Sequence, residues 1–195
     1  MLKKNPLVKI FLLFSIAVCA FGYYIGVFDK DYSKKDLIEN YNLKSKEIIE
    51  LRNYIKSITP ANKSVVIEFD GNRRLVNFHV TVNDSADWNY DISINSTKTD
   101  SLLQKLGWSH ETLSTLKNKL DNANCISVES GEPCTIGFQR SRMGMYFYKV
   151  FKQVPNDSLK KEYNDGCTYI YYKDNIVLEY AGGAFGRQCF EDDKK

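Results

Sequence analysis

The chain is short of the residues that usually announce an enzyme or a nucleic-acid binder. It has only two histidines among 195 residues, and neither sits in a Gly-x-Ser-x-Gly or comparable setting, so a Ser/His or Cys/His hydrolase has little to build on. It has no Cys-x-x-Cys pair and no Cys/His cluster, which removes the usual structural zinc site. There is no block of like charge, which argues against a dedicated nucleic-acid partner. The run Gly182 to Gly186 lacks the lysine and following helix of a phosphate loop. Repeats and low-complexity segments are also missing. What is present is a chain 43% hydrophobic and 13% aromatic, too apolar for disorder and suited to one globular domain.

The formal net charge of +3 has a local origin. Residues 1–28 hold Lys3, Lys4 and Lys9 and no acid; removing those three from the 27 basic residues leaves 24 basic against 24 acidic. After Lys9 an uncharged run extends from Ile10 to Phe28, roughly 28 Å as a helix, close to a bilayer's hydrocarbon thickness. The positive-inside rule then puts residues 1–9 in the cytoplasm and everything after Phe28 outside it, with Tyr23 and Tyr24 near the outer interface. Two cleaved readings compete: a lipoprotein box at Ile16-Ala17-Val18-Cys19 with Cys19 lipidated, or a small-residue cleavage site at Val18-Cys19-Ala20. The uncharged residues that continue past Cys19 favour an uncleaved anchor. The expected division is a basic tail at 1–9, an anchor at 10–28, a juxtamembrane helix at 29–59 and an extracytoplasmic domain at 60–195.

From Ser33 to Ile58 the apolar spacing is helical, through Leu37, Tyr41, Ile48, Leu51, Ile55 and Ile58, with Lys44 interrupting the stripe. Ser33 and Asp36 make a variant capping box and Thr59-Pro60 stops the helix. Only about three heptads are available, so a helix packed on its own domain is expected rather than a dimerising coil. Alternation then predicts a hairpin, with a two-residue turn at Gly71-Asn72 setting Val65, Ile67 and Phe69 opposite Phe78, Val76 and Arg74. Trp88, Tyr90, Ile92 and Ile94 continue as a third strand. Two helices follow, one with Leu102, Leu103 and Leu106 closed by Gly107, the next capped by Ser109. The remaining strands are expected at 125–129, 134–138, 145–151, 167–172 and 176–181, with a helical turn at 158–163. Short connections imply antiparallel pairing, hence an α+β fold: an antiparallel sheet with helices packed on one face, preceded by an N-terminal membrane helix.

Outside the anchor, four cysteines allow three pairings. Cys125 and Cys134 bracket Ser130-Gly131, yet strand parity points them to opposite faces if Ile126, Val128, Ile136 and Phe138 face the core. A three-residue turn at Lys173-Asp174-Asn175 pairs Ile170 with Leu178 and sets Cys167 opposite Ala181. Cys189 follows a flexible run and can fold back there, so Cys167 to Cys189 is the expected bridge.

His79 lies beside Asn77 and Thr81 on the polar side of its strand, where a solvated histidine is expected and a general base the alternative. His110 follows the Ser109 cap. Glu129 and Glu132 flank a turn and can act as paired carboxylates, although turn tips are ordinarily charged. Gln139-Arg140-Ser141-Arg142 reads as a solvated basic turn able to hold an anion. Tyrosine is the least ordinary feature, 13 in all. Tyr146, Tyr148, Tyr169 and Tyr171, with Arg140 and Arg142, form the candidate ligand surface, against cross-strand pairing that only stabilises the sheet.

The runs from Asp121 to Ser127 and from Gly137 to Tyr148, and the Gly-Gly-Ala segment before Gln188-Cys189, resemble those of small uncharacterised envelope proteins from Bacteroidetes-type bacteria. The resemblance covers about the C-terminal third and implies an envelope location, with no activity or site residue. Together these readings predict a membrane-anchored extracytoplasmic binding module. Its expected partners are the bilayer, through residues 10–28, and an envelope protein or glycan; no catalytic residue, metal, cofactor or nucleic acid is implied. The alternatives are an envelope hydrolase acting on glycan or cell-wall substrates through Glu129, Glu132 or His79, and an immunity or inhibitor protein.

Overall fold

A computed structural model describes residues 31–141, 144–183, 189 and 190, together with 11–13, 15, 16 and 18. The elements run α1 (Lys34–Ile58), β1 (Lys63–Asp70), β2 (Arg74–Val82), β3 (Ser85–Asp87), β4 (Tyr90–Ser93), α2 (Thr97–Leu106) and α3 (His110–Asn122). Then come β5 (Ser127–Glu129), β6 (Cys134–Ser141), β7 (Gly144–Val150), α4 (Asp157–Glu162), β8 (Tyr169–Lys173) and β9 (Ile176–Ala181). All nine strands join one sheet in the order β3-β2-β1-β5-β6-β7-β9-β8, with β4 also on β2. Every described pairing is antiparallel.

Helix α1 starts where its capping box predicts: Ser33 Oγ accepts from the Asp36 N–H and the Asp36 carboxylate accepts from the Ser33 N–H at 2.9 Å. Its apolar stripe breaks at Lys44, and there the helix kinks, with φ −125° and ψ 17°. Leu37 and Tyr41 before the kink and Ile48, Leu51 and Ile55 after it are all buried in the domain's own core, so α1 is no free coil. Asn40 secures it to the sheet, donating to Tyr148 Oη at 3.1 Å and to the Ala123 carbonyl at 3.2 Å.

The core is one row of cross-strand partners, Phe78, Ile67, Val128, Ile136, Tyr148, Leu178 and Ile170, in order across the sheet. Leucines of α2 and α3 close over the same face. The neighbouring row, Asn77, Glu68, Ser127, Gly137, Phe147, Glu179 and Tyr169, points to the other face because adjacent strand residues alternate. That face is largely polar, and the short α4 reaches it by setting Tyr163 on Tyr169 with ring centroids 5.1 Å apart.

Two turns differ from expectation. The first hairpin has three turn residues, Gly71-Asn72-Arg73, and pairs Ile67 with Phe78, Val65 with Val80 and Asp70 with Arg74. Val76 is the extra residue of a bulge, which brings Leu75 opposite Phe69 and into the core. In the last hairpin Ile170 pairs with Leu178 as expected, but a bulge at Tyr172 shortens the turn to Asp174-Asn175. The expected strands at 125–129 and 167–172 also start two residues later: Ile126 bonds the backbone of Phe69 and Gly137, and Thr168 that of Tyr180, without being part of the strands.

Cys167 and Cys189 form the disulfide, and the Phe190 N–H bonds the Cys167 carbonyl at 2.9 Å. Cys125 and Cys134 are free and buried, but not on opposite faces as expected: Cys125 lies before β5 begins, Ile126 stays out of the core, and both cysteines enter the same core cluster without bonding. Among the described residues no helix is long and apolar enough to cross a membrane. The expected anchor, with Cys19, Tyr23 and Tyr24, falls mostly outside those residues. The part that is described is helical, and Phe11, Leu12, Leu13, Ile16 and Val18 are exposed along it.

Candidate binding surface

Apart from that N-terminal helix, the exposed large apolar side chains among the described residues are Leu43, Trp88, Tyr90 and Val154. Two of the four stand together. Trp88 and Tyr90 are 63% and 60% exposed, and both rest on one imidazole, that of His79, at centroid distances of 4.6 and 4.8 Å. The register explains the grouping. β3 and β4 pair with β2 in one continuous register, Val80 with Asp87 and Asn77 with Tyr90, interrupted at Trp88-Asn89. Trp88 and Tyr90 thus share the polar face with His79. At Asp91 the backbone turns to φ +51°, opposite the Val76 bulge, and the parity of both strands reverses. Ile92 and Ile94 therefore join the core while the two aromatics two and four residues earlier leave it.

Asn89 holds the group in place. Its N–H donates to His79 Nδ1 at 3.0 Å, its carbonyl accepts from the Phe78 N–H at 3.0 Å, and its amide donates to the Phe78 carbonyl and to Asp87. Asp87 is in turn bonded by Lys105 and Lys98, and its carboxyl is held down at about 2, chiefly by the Lys105 hydrogen bond. His79 is 7% exposed rather than solvated as its strand position suggests, because Trp88 and Tyr90 cover it. Burial lowers its pKa. Since Nδ1 accepts a hydrogen bond, the ring proton sits on Nε2, which has no acceptor among the described residues and is not sealed from solvent.

No family model, curated protein or solved structure matches the chain.

The tyrosines singled out from the sequence are brought into internal contacts instead. Tyr148 is fully buried; its hydroxyl donates to the Leu37 carbonyl at 2.7 Å, and burial pushes its pKa up. Tyr146 is 4% exposed, packed on Tyr180 at 4.8 Å and Phe190 at 5.9 Å. Neither ring is available as a surface platform, because both face the core, Tyr148 under α1 and Tyr146 against Tyr180 and Phe190. Tyr169 is half-buried, and burial together with Glu179 raises its phenol to about 12. The Tyr171 hydroxyl donates to the Asp174 carbonyl at 2.9 Å and Lys160 lies over its ring.

Arg140 belongs to strand β6, not to a solvated turn, and it makes a two-pronged contact to buried Glu68 at 2.6 and 2.8 Å. A guanidinium so engaged does not offer its charge to an anion. Arg142 lies outside the described residues. Glu129 and Glu132, the carboxylate pair of the hydrolase alternative, are not both free. Glu132 accepts from Arg52 at 2.9 Å and from the Lys152 N–H at 2.6 Å, while Glu129 stays exposed on β5. His110 is bonded to Asp100 at 2.8 Å. A cleft of about 370 Å³ opens beside the Arg52–Glu132 pair, lined also by Ile55, Pro60 and Cys134. Its thiol is pushed up to about 12 by burial, which suits a structural cysteine and not a nucleophile. Among the described residues no group of three or more His, Cys, Asp or Glu is arranged to hold a metal ion.

Trp88 and Tyr90 were visible in the sequence only as strand residues. The signal that distinguishes them is their setting: two aromatics around Asn89, between Asp87 and Asp91, with no other apolar residue from Asn83 to Asp91 except Ala86.

Proposed function

We propose that this chain is a membrane-anchored binding module that works outside the cytoplasm and does so without catalysis. The observation that carries the reading is the Cys167–Cys189 bridge, since such bonds persist in oxidising compartments and cytosolic thiols are kept reduced. The uncharged run from Ile10 to Phe28 behind three lysines supports the same location, as does the resemblance to envelope proteins. Large apolar side chains exposed along a helix, as at Phe11, Leu12 and Leu13, need a covering that lipid supplies. The contact surface of the module is the Trp88–Tyr90 pair, because exposed, rigidly held aromatics are the side chains that carry most binding energy at interfaces.

The test is thiol labelling in intact cells with a membrane-impermeant maleimide. The expected result is no labelling of Cys167 and Cys189 until an external reductant is added, then labelling of both. Labelling that requires breaking the inner membrane would reject the extracytoplasmic placement. Pull-down of the tagged full chain from envelope extract then identifies what the module binds, with Trp88→Ser as the control that weakens capture.

A further inference from the structure

We infer that the patch of Trp88, His79 and Tyr90 is a binding site for a neutral sugar ring, whose C–H face stacks on the exposed aromatics while a ring hydroxyl oxygen accepts from His79 Nε2–H. The inference rests on the binding-module reading and names the ligand class of that surface.

Two features converge on this class. The two rings are exposed yet fixed, since both pack on an imidazole that Asn89 anchors through its backbone N–H. Stacking on rings that are already ordered avoids most of the entropy lost when loose side chains are captured. Between them the structure leaves one polar donor, Nε2–H of a side chain 7% exposed, without a partner in the described protein. A buried group that is reachable but unpaired suits a ligand that brings its own acceptor.

The rim selects against other ligands. A protein partner ordinarily covers a wider apolar patch, whereas Asn83, Asp84, Ser85 and Asp91 around the rings are exposed and polar. The charges also cancel, three against three: Asp87 pairs with Lys98 and Lys105, and Arg74 pairs with Asp70 and lies 3.6 Å from Asp91. That leaves no cationic excess to draw an anionic glycan, and the alternation of flat rings with single hydrogen-bonding groups fits a neutral saccharide.

The experiment titrates the full chain, in a detergent without a sugar headgroup, with cellotriose, maltotriose and chitotriose, each up to about 10 mM. The readout is the indole N–H resonance of each tryptophan. Trp108 is an internal control, because it is buried and its Nε1–H is bonded to the Ile58 carbonyl at 2.8 Å. At least one sugar is expected to shift the Trp88 signal saturably and leave Trp108 unmoved. Trp88→Ala and Tyr90→Ala should each weaken binding about tenfold. His79→Phe, which keeps a ring for packing but removes the donor, should weaken it too with the near-ultraviolet spectrum retained. No saturable shift with any of the three sugars overturns the inference, as does binding that survives the Trp88→Ala, Tyr90→Ala double variant. Trp88-dependent capture of a protein from envelope extract, with no response to sugar, also overturns it while the binding-module reading stands.

Discussion

His79 shows how a residue's surroundings set its chemistry. On a bare strand it would titrate as an ordinary histidine, but two aromatic rings cover it and Asn89 donates to its Nδ1, which only the neutral ring can accept. Its pKa in the fold is therefore below the ordinary 6.5, with burial as the cause. The unfolded chain takes up this proton first as the pH falls, so acid favours unfolding. Its contribution is fully present above 6.5 and is lost progressively below it, down to the depressed value in the fold. Urea unfolding at several pH values should show the midpoint falling below pH 6.5, and His79→Gln should flatten that part of the profile. An unchanged pH profile in the variant would mean that other groups carry the acid sensitivity. Surroundings likewise determine exposure at Tyr148 and Trp88: Tyr148 on β7 disappears beneath α1, whereas Trp88, in the break between β3 and β4, is held outside.

At the scale of elements, local rules account for the ends of helices and for the core strands. Ser33, Ser96 and Ser109 each accept a backbone N–H at a helix start, and Gly107 takes the left-handed conformation that closes α2. Strand parity anticipated the meeting of Cys167 with Cys189 but not the position of Cys125, which precedes β5 and enters the same core as Cys134. Bulges at Val76 and Tyr172 were not legible, because an extra residue leaves the apolar-polar alternation locally ambiguous and only the facing strand resolves it. Edge strand β8 is protected by side chains, with Asp165 accepting from the Cys167 and Tyr169 N–H groups and Asn164 from that of Tyr171. Such capping blocks pairing with another chain at that edge. Gly137, in the middle of β6, is required by close packing: a Cβ there would lie 2.0 Å from Ser127 Oγ and 2.2 Å from Met145 Cε. Gly137→Ala is expected to cost about 1–3 kcal/mol through overpacking, measured by denaturant unfolding. A neutral result would show that Met145 and Ser127 reorient freely.

At the scale of the molecule, nine strands and three helices among the described residues share one core, and the disulfide ties the last described residues to the start of β8. Phe190 follows the bridge and is buried against Tyr146 and Tyr180. Replacing Cys167 and Cys189 by Ala should therefore lower stability by about 3 kcal/mol, from the loop closed between them. The loss is readable as a lower Tm that added reductant does not lower further, whereas the native protein responds to reductant. Identical melting of the two proteins would count against a structural role for the bridge.

Composition and spacing alone were enough to locate the charge, with its +3 confined to the first nine residues, and to outline an antiparallel α+β domain behind an uncharged segment. Those properties follow from local periodicity and from the chemistry of single residues. The candidate site did not: Tyr146, Tyr148 and Arg140 looked available and are engaged internally, while Trp88 and Tyr90 looked like ordinary strand residues and form the exposed pair. Which face an aromatic takes depends on bulges and on the left-handed backbone at Asp91, and these arise from pairing with strands distant in sequence. Burial is a property of what lies across the sheet, so only the tertiary structure decided which rings meet solvent.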